Sequence, residues 1–194
     1  MKTLIIHPQD ETTIFLRHIY RNLHNCTLLK NGSRIDVISQ IIDHDRIFML
    51  GHGTPNGLLS VGQFDGQYVI DDTIVPILSN KECIFIWCNA DKFVTRNKLK
   101  GLYSGMFISE VMEALLMGLP PVSQKTVDES NFLFATVLGQ GIELGLYHAY
   151  HMMMVVYEAF SSRNIVAKYN VQRLYLIVWL SICMLYHNYL IISD

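Results

Sequence analysis

Arg46-Ile47-Phe48-Met49-Leu50-Gly51-His52-Gly53 is the stretch whose reading decides the fold. After one charge it runs apolar without alternation, as expected of a strand buried on both faces of a parallel sheet. Glu82-Cys83-Ile84-Phe85-Ile86-Trp87-Cys88-Asn89-Ala90 repeats the arrangement. In an open α/β sheet, ligands gather beyond the carboxyl ends of the strands, which is where His52 and Cys88 fall. An imidazole and a thiol delivered there are the minimum equipment for a cysteine nucleophile. The ring stabilises the thiolate and returns a proton to the leaving group.

Upstream, Lys2–Ile6 reads as a first strand, followed by an amphipathic helix from Asp10 to about Leu23. Thr27–Leu29 reads as a short strand, and Ser33 as the cap of a helix to about Ile42 with Ile35, Ile38, Ile41 and Ile42 inward. Directly after His52, the apolar pairs around Gly62-Gln63-Phe64-Asp65-Gly66 predict a β-hairpin, and a short helix ends near Leu78. Downstream of Cys88, Lys92, Arg96, Lys98 and Lys100 mark a solvated basic segment. Helices are then expected over Ser109–Met117, over Val127–Leu138 (capped by Asp128 or Ser130) and over Ile142–Phe160. No internal repeat or linker breaks the chain, so residues 1–194 are read as one domain.

The chain has 194 residues, 51% hydrophobic and 16% charged, with a net charge of −2. That composition excludes disorder, and the charge gives no long-range attraction for nucleic acid. Cys26, Cys83, Cys88 and Cys183 lie far apart in sequence, with no zinc-ligand spacing, so no metal is expected. The first apolar stretch is too short for a signal peptide, and free thiols in a reducing cytoplasm are expected. Residues 174–192 are almost wholly apolar and meet the length criterion for a membrane span. Two readings of them stand: a strand followed by a buried helix, or a membrane-associated tail.

A hydrophobic block ending in His-Gly, followed by a second ending in Cys, resembles the caspase-like (clan CD) cysteine peptidases. Gly105-Met106-Phe107-Ile108-Ser109-Glu110, Glu113-Ala114-Leu115-Leu116-Met117-Gly118, Val127-Asp128-Glu129-Ser130 and Phe134-Ala135-Thr136-Val137-Leu138-Gly139 are similar to the CHAT branch. The resemblance runs from about Arg46 to Phe160. It implies a three-layer caspase-like α/β fold, with a mostly parallel central sheet flanked by helices. His52 would manage the proton and Cys88 would be the nucleophile, with no cofactor. Similar peptidases are often self-processed at basic residues, which offers a second reading of Lys92–Lys100.

The expectation is therefore an endopeptidase acting on protein or peptide. The backbone N–H groups of Gly53 and Cys88 are placed to form an oxyanion hole. Asp10, Asp91 and Asp128 are candidate carboxylates for binding a basic substrate side chain, with a mild preference for Arg or Lys. Helix capping is the alternative for Asp10 and Asp128, and a solvated loop charge for Asp91. Bulky Trp87 stands where the family usually has a small residue, which keeps open a non-catalytic caspase-like interaction module in signalling or defence. A flavodoxin-like domain whose His52 and Cys88 never meet is a third reading. A serine site built on Ser104, Ser109 and His7 is rejected, since no GxSxG elbow surrounds them.

Overall fold

The structure is a computed structural model that describes residues 1–177. In chain order, β1 (Thr3–Ile6) leads through a 3-10 turn (Ile14–Leu16) into α1 (Arg17–Tyr20), β2 (Cys26–Leu29), α2 (Arg34–Ile42) and β3 (Arg46–Leu50). Next come β4 (Gly53–Thr54), β5 (Gly57–Leu59), β6 (Tyr68–Ile70), α3 (Val75–Leu78), β7 (Glu82–Ile86), α4 (Ala90–Arg96) and β8 (Gly101–Ser104). The remainder is α5 (Val111–Leu116), α6 (Gln124–Ile142), α7 (Leu146–Met152), a π-helical turn (Met153–Tyr157), α8 (Glu158–Ser161), α9 (Ile165–Val171) and β9 (Leu174–Ile177).

Six strands form the central sheet in the order β2-β1-β3-β7-β8-β9, and β4-β5-β6 form a small antiparallel sheet. The first five members of the large sheet are parallel, and β9 runs antiparallel to β8. This is the three-layer α/β arrangement expected. The unalternated runs are explained by burial on both faces. Ile5, Phe48, Leu50, Ile84 and Ile86 belong to one core cluster, with Phe134 and Tyr157. Ile6, Met49, Phe85 and Trp87 belong to the other, with Val37, Ile41 and Phe93. Burying a large apolar side chain of this kind contributes about 1.5–3 kcal/mol.

Local signals explain several of the helix boundaries. Ser33 caps α2 in a reciprocal capping box with Asp36. The inward face of that helix is Val37 and Ile41; Ile35 and Ile42 are exposed, contrary to the sequence reading. α6 begins earlier than expected because Ser123, not Asp128 or Ser130, is its cap and accepts the Thr126 amide. Ser130 is buried and bonded to the Tyr157 hydroxyl at 2.7 Å. The expected helix over Ile142–Phe160 is divided. Gly145 has φ 107° and separates α6 from α7, and the π-helical turn follows Met152.

The basic segment after Cys88 is also different from its reading. Ala90, Phe93 and Val94 share one buried face at helical spacing, so Ala90–Arg96 is a helix with its basic side chains outward. β9 covers the first part of the apolar C-terminal stretch, and residues 178–192 of that stretch lie outside the described residues. Among the described residues, no helix is long and apolar enough to cross a membrane.

Candidate functional site

The register of β3 on β7 sets the site. Leu50 pairs with Ile86 at the last rung between them, and His52 and Cys88 each stand two residues beyond it. Neighbouring strands lie about 4.8 Å apart, so the two segments leave the sheet from adjacent points. Leu50 and Ile86 face the same core cluster, against which Cys88 also packs. His52 and Cys88 line one cavity of about 20 Å³, with Thr13, Phe15, Leu16, Gly51, Ile86, Trp87, Phe107 and Ser109. That volume holds about one water. Phe15 and Phe107 stack over it, with ring centroids 6.3 Å apart.

Each backbone leaves its strand abruptly. Gly51 has φ 142° and carries the chain out of β3. Asn89, with φ 67°, turns the chain from β7 into α4 and leaves Cys88 at the tip. Asparagine tolerates that left-handed conformation better than other non-glycine residues. The ladder between β3 and β7 closes with Gly51 N–H donating to Ile86 C=O at 3.0 Å. The Cys88 amide meets no backbone acceptor among the described residues. Leu59 N–H donates to His52 C=O at 2.9 Å, which makes Gly53 and Leu58 a non-hydrogen-bonded pair in their ladder. The Gly53 amide is therefore not consumed by β5.

His52 is held from the β1 side. Its Nε2 lies 2.7 Å from Thr12 Oγ1 and 3.0 Å from Asp10 Oδ2. Thr12 donates its hydroxyl proton to Asp10 Oδ1 at 2.9 Å, so Nε2 must be the donor toward this pair. In the neutral ring, Nδ1 is then the basic nitrogen. Partial burial works to raise the Asp10 pKa. Hydrogen bonds from Thr12, the His52 charge and bonds from Thr13 outweigh that and hold the carboxyl below its ordinary range. Asp10 also accepts the Thr12 and Thr13 amides at 3.0 Å each, so it caps this turn and orients the imidazole together.

Cys88 sits in a different electrostatic setting. Its sulfur lies 3.4 Å from the Phe107 carbonyl oxygen and 3.9 Å from Glu113 Oε1. Burial first, and the Glu113 charge second, push the thiol up to about 12. Cys83, inside β7, is buried and inert, and its thiol is also pushed up to about 12 by burial.

The other two aspartates lie apart from His52 and Cys88. Asp91 occupies the first turn of α4, with Oδ1 buried and unpartnered, and does not line the cavity. Asp128 is on α6, bonded to Gln124 at 2.8 Å. It lines a groove of about 410 Å³ that also contains Glu11, Arg17, Ser109 and Glu110. Phe15 and Ser109 border both the groove and the cavity, so the two are contiguous. Sequence reasoning missed Thr12, Glu11, Glu110 and Glu113. The Ser109-Glu110-x-x-Glu113 spacing at the start of α5 is the one local signal that marks some of them. No group of three or more potential metal ligands occurs among the described residues.

No family model matches the sequence. No curated protein matches it either. An NADPH-quinone reductase from P. pentosaceus is similar in structure over 70% of this chain and 98% of its own, at 17% identity and a TM-score of 0.37. A likeness that slight carries no argument about fold or function.

Proposed function

We propose that this chain is a caspase-like cysteine endopeptidase with a His52/Cys88 dyad and a mild preference for a basic residue before the cleaved bond. The observation that carries the reading is that His52 and Cys88, just past the carboxyl ends of the paired strands β3 and β7, line one cavity. Cys88 sulfur attacks the peptide carbonyl, and the Gly53 and Cys88 amides hold the resulting oxyanion. His52 takes the thiol proton and passes it to the departing amine, and water then hydrolyses the thioester. Asp10 orients His52 in this scheme, as the third member of a triad does. Glu11, Glu110 and Asp128 in the contiguous groove outnumber its Arg17 and give it the negative excess that favours Arg or Lys.

The reading carries its setting with it: a peptide or protein substrate, a cytoplasmic location suited to free Cys26, Cys83 and Cys88, and no nucleic-acid partner. The apolar 178–192 segment is the natural candidate for any membrane contact.

A second reading, a non-catalytic caspase-like module, is favoured by the small cavity and by the carboxylate beside the sulfur. Fluorogenic peptides with Arg or Lys before the reporter separate the two. The peptidase reading expects cleavage that Cys88→Ala abolishes and a peptidyl thiol probe that labels Cys88. Cleavage surviving Cys88→Ala, or a probe that prefers Cys26, overturns it.

A further inference from the structure

Glu113 is placed in a way that the peptidase scheme leaves unexplained. Its Oε2 accepts Ser109 N–H at 2.6 Å, Ser109 Oγ at 3.0 Å and Glu110 N–H at 3.1 Å. Those bonds close the capping box that starts α5. Oε1 takes no part in them and instead faces the Cys88 sulfur at 3.9 Å. A nucleophilic cysteine is ordinarily activated by a cation or a helix N-terminus beside it. Here the sulfur has a half-buried carboxylate beside it, which disfavours a negative sulfur.

We propose that Glu113 is a guard on Cys88, holding it as the neutral thiol until the turn from Ser109 to Glu113 moves. The inference rests on Cys88 being the nucleophile. The groups facing the sulfur are Glu113 and, more weakly, Glu110, while His52 lines the same cavity with Asp10 behind it. Ser109 is the mechanical link. It is bonded to Glu113, it borders the cavity and it borders the groove. A basic chain settling in the groove meets Glu110 and Ser109, and so bears on the turn that carries the guard. Withdrawing Oε1 removes the like charge, and His52 is then the group that decides the proton's position. Occupancy of the groove thus becomes the signal that arms the sulfur.

The test is the rate at which iodoacetamide alkylates Cys88 in the full chain, followed across pH by mass spectrometry for wild type and Glu113→Gln. The amide oxygen of glutamine keeps an acceptor for the cap while removing the charge. The expected result is a labelling midpoint at least about one pH unit lower in the variant, which makes labelling near pH 8 about tenfold faster. A merely structural role would speed labelling by one factor at every pH and leave the midpoint in place, and that outcome overturns the proposal. Should Glu113→Gln fail to fold, Glu113→Asp decides: aspartate still closes a capping box, as Asp36 does in α2, but its shorter side chain draws the charge back from the sulfur, so a lowered midpoint supports the guard and an unchanged one refutes it. No peptide substrate enters this measurement, so failure of the peptidase reading, seen as absent cleavage, is distinguishable from failure of the guard.

Discussion

Replacing Gly53 by alanine tests how the two halves of the site are packed together. A Cβ built there would lie 2.0 Å from Trp87 Cδ1, 2.4 Å from Trp87 Cγ and 2.8 Å from the Gly57 carbonyl oxygen. Ordinary carbon contacts begin near 3.5 Å, so the indole must retreat by about 1.5 Å. It has little room to do so: Trp87 is 1% exposed and wedged against Phe85 and Phe93 at centroid distances of 5.6 Å each. Overpacking of a filled core costs about 1–3 kcal/mol, and this case belongs at the upper end. Moving the indole also breaks the bond from its Nε1 to Thr54 C=O at 3.1 Å, adding about 1 kcal/mol. The expected destabilisation of Gly53→Ala is therefore about 3–4 kcal/mol in urea unfolding. Because one partner is the indole, Trp87→Leu should absorb much of the cost, with a coupling of about 2 kcal/mol in the double-mutant cycle. A single mutant within about 0.5 kcal/mol of wild type, or strictly additive effects, would refute this account of why a glycine follows His52.

His7 provides a pH signature. It is fully buried, bonded through Nδ1 to the Tyr20 hydroxyl at 2.9 Å, and its Nε2 has no partner. Burial pushes its pKa from 6.5 down to about 4, against the pull of Asp10. A depressed histidine stays neutral in the fold while the unfolded chain takes the proton. Its contribution is complete above pH 6.5 and is lost as pH falls toward about 4, a change of about 3 kcal/mol. Urea unfolding of wild type and His7→Gln at pH 7 and 4.5 checks it, and an equal acid loss in both chains contradicts it. At the other side of the sheet, Ser33→Ala removes both the side-chain acceptor for Asp36 N–H and the hydroxyl bonded to Asp36 Oδ2 at 2.7 Å. It should cost about 1 kcal/mol in the same assay, and no measurable change would show that the cap contributes nothing.

What was legible in the sequence was what local chemistry encodes. β3 and β7 could be read because strands covered on both faces stay apolar throughout, and the start of α2 could be read from Ser33. That His52 and Cys88 lie near one another at the sheet's edge, lining one cavity, was legible from the carboxyl-end rule. β8 was not legible, because Gly101-Leu102-Tyr103-Ser104 is short and follows a run of lysines. α4 was hidden behind Lys92 and Arg96, whose charges obscured the Ala90, Phe93, Val94 stripe. Ile35 and Ile42 were misassigned because which isoleucines a helix buries depends on how it sits across the sheet. Asp10 was foreseen as a cap or a substrate contact, while its bond to His52 depends on β1 lying beside β3. Glu113 could not be linked to Cys88 from sequence at all, since only the return of the chain after β8 brings them together.

The reversed direction of β9 has a topographic consequence. Ser104 pairs with Leu174 and Gly101 with Ile177, so the last described strand travels from the His52 end of the sheet back to its opposite pole. Ile177 itself therefore lies on the side remote from the crevice, and a reporter or tether attached at that residue sits there too. Immobilisation through that point would present the crevice outward, leaving its mouth free to meet incoming chains.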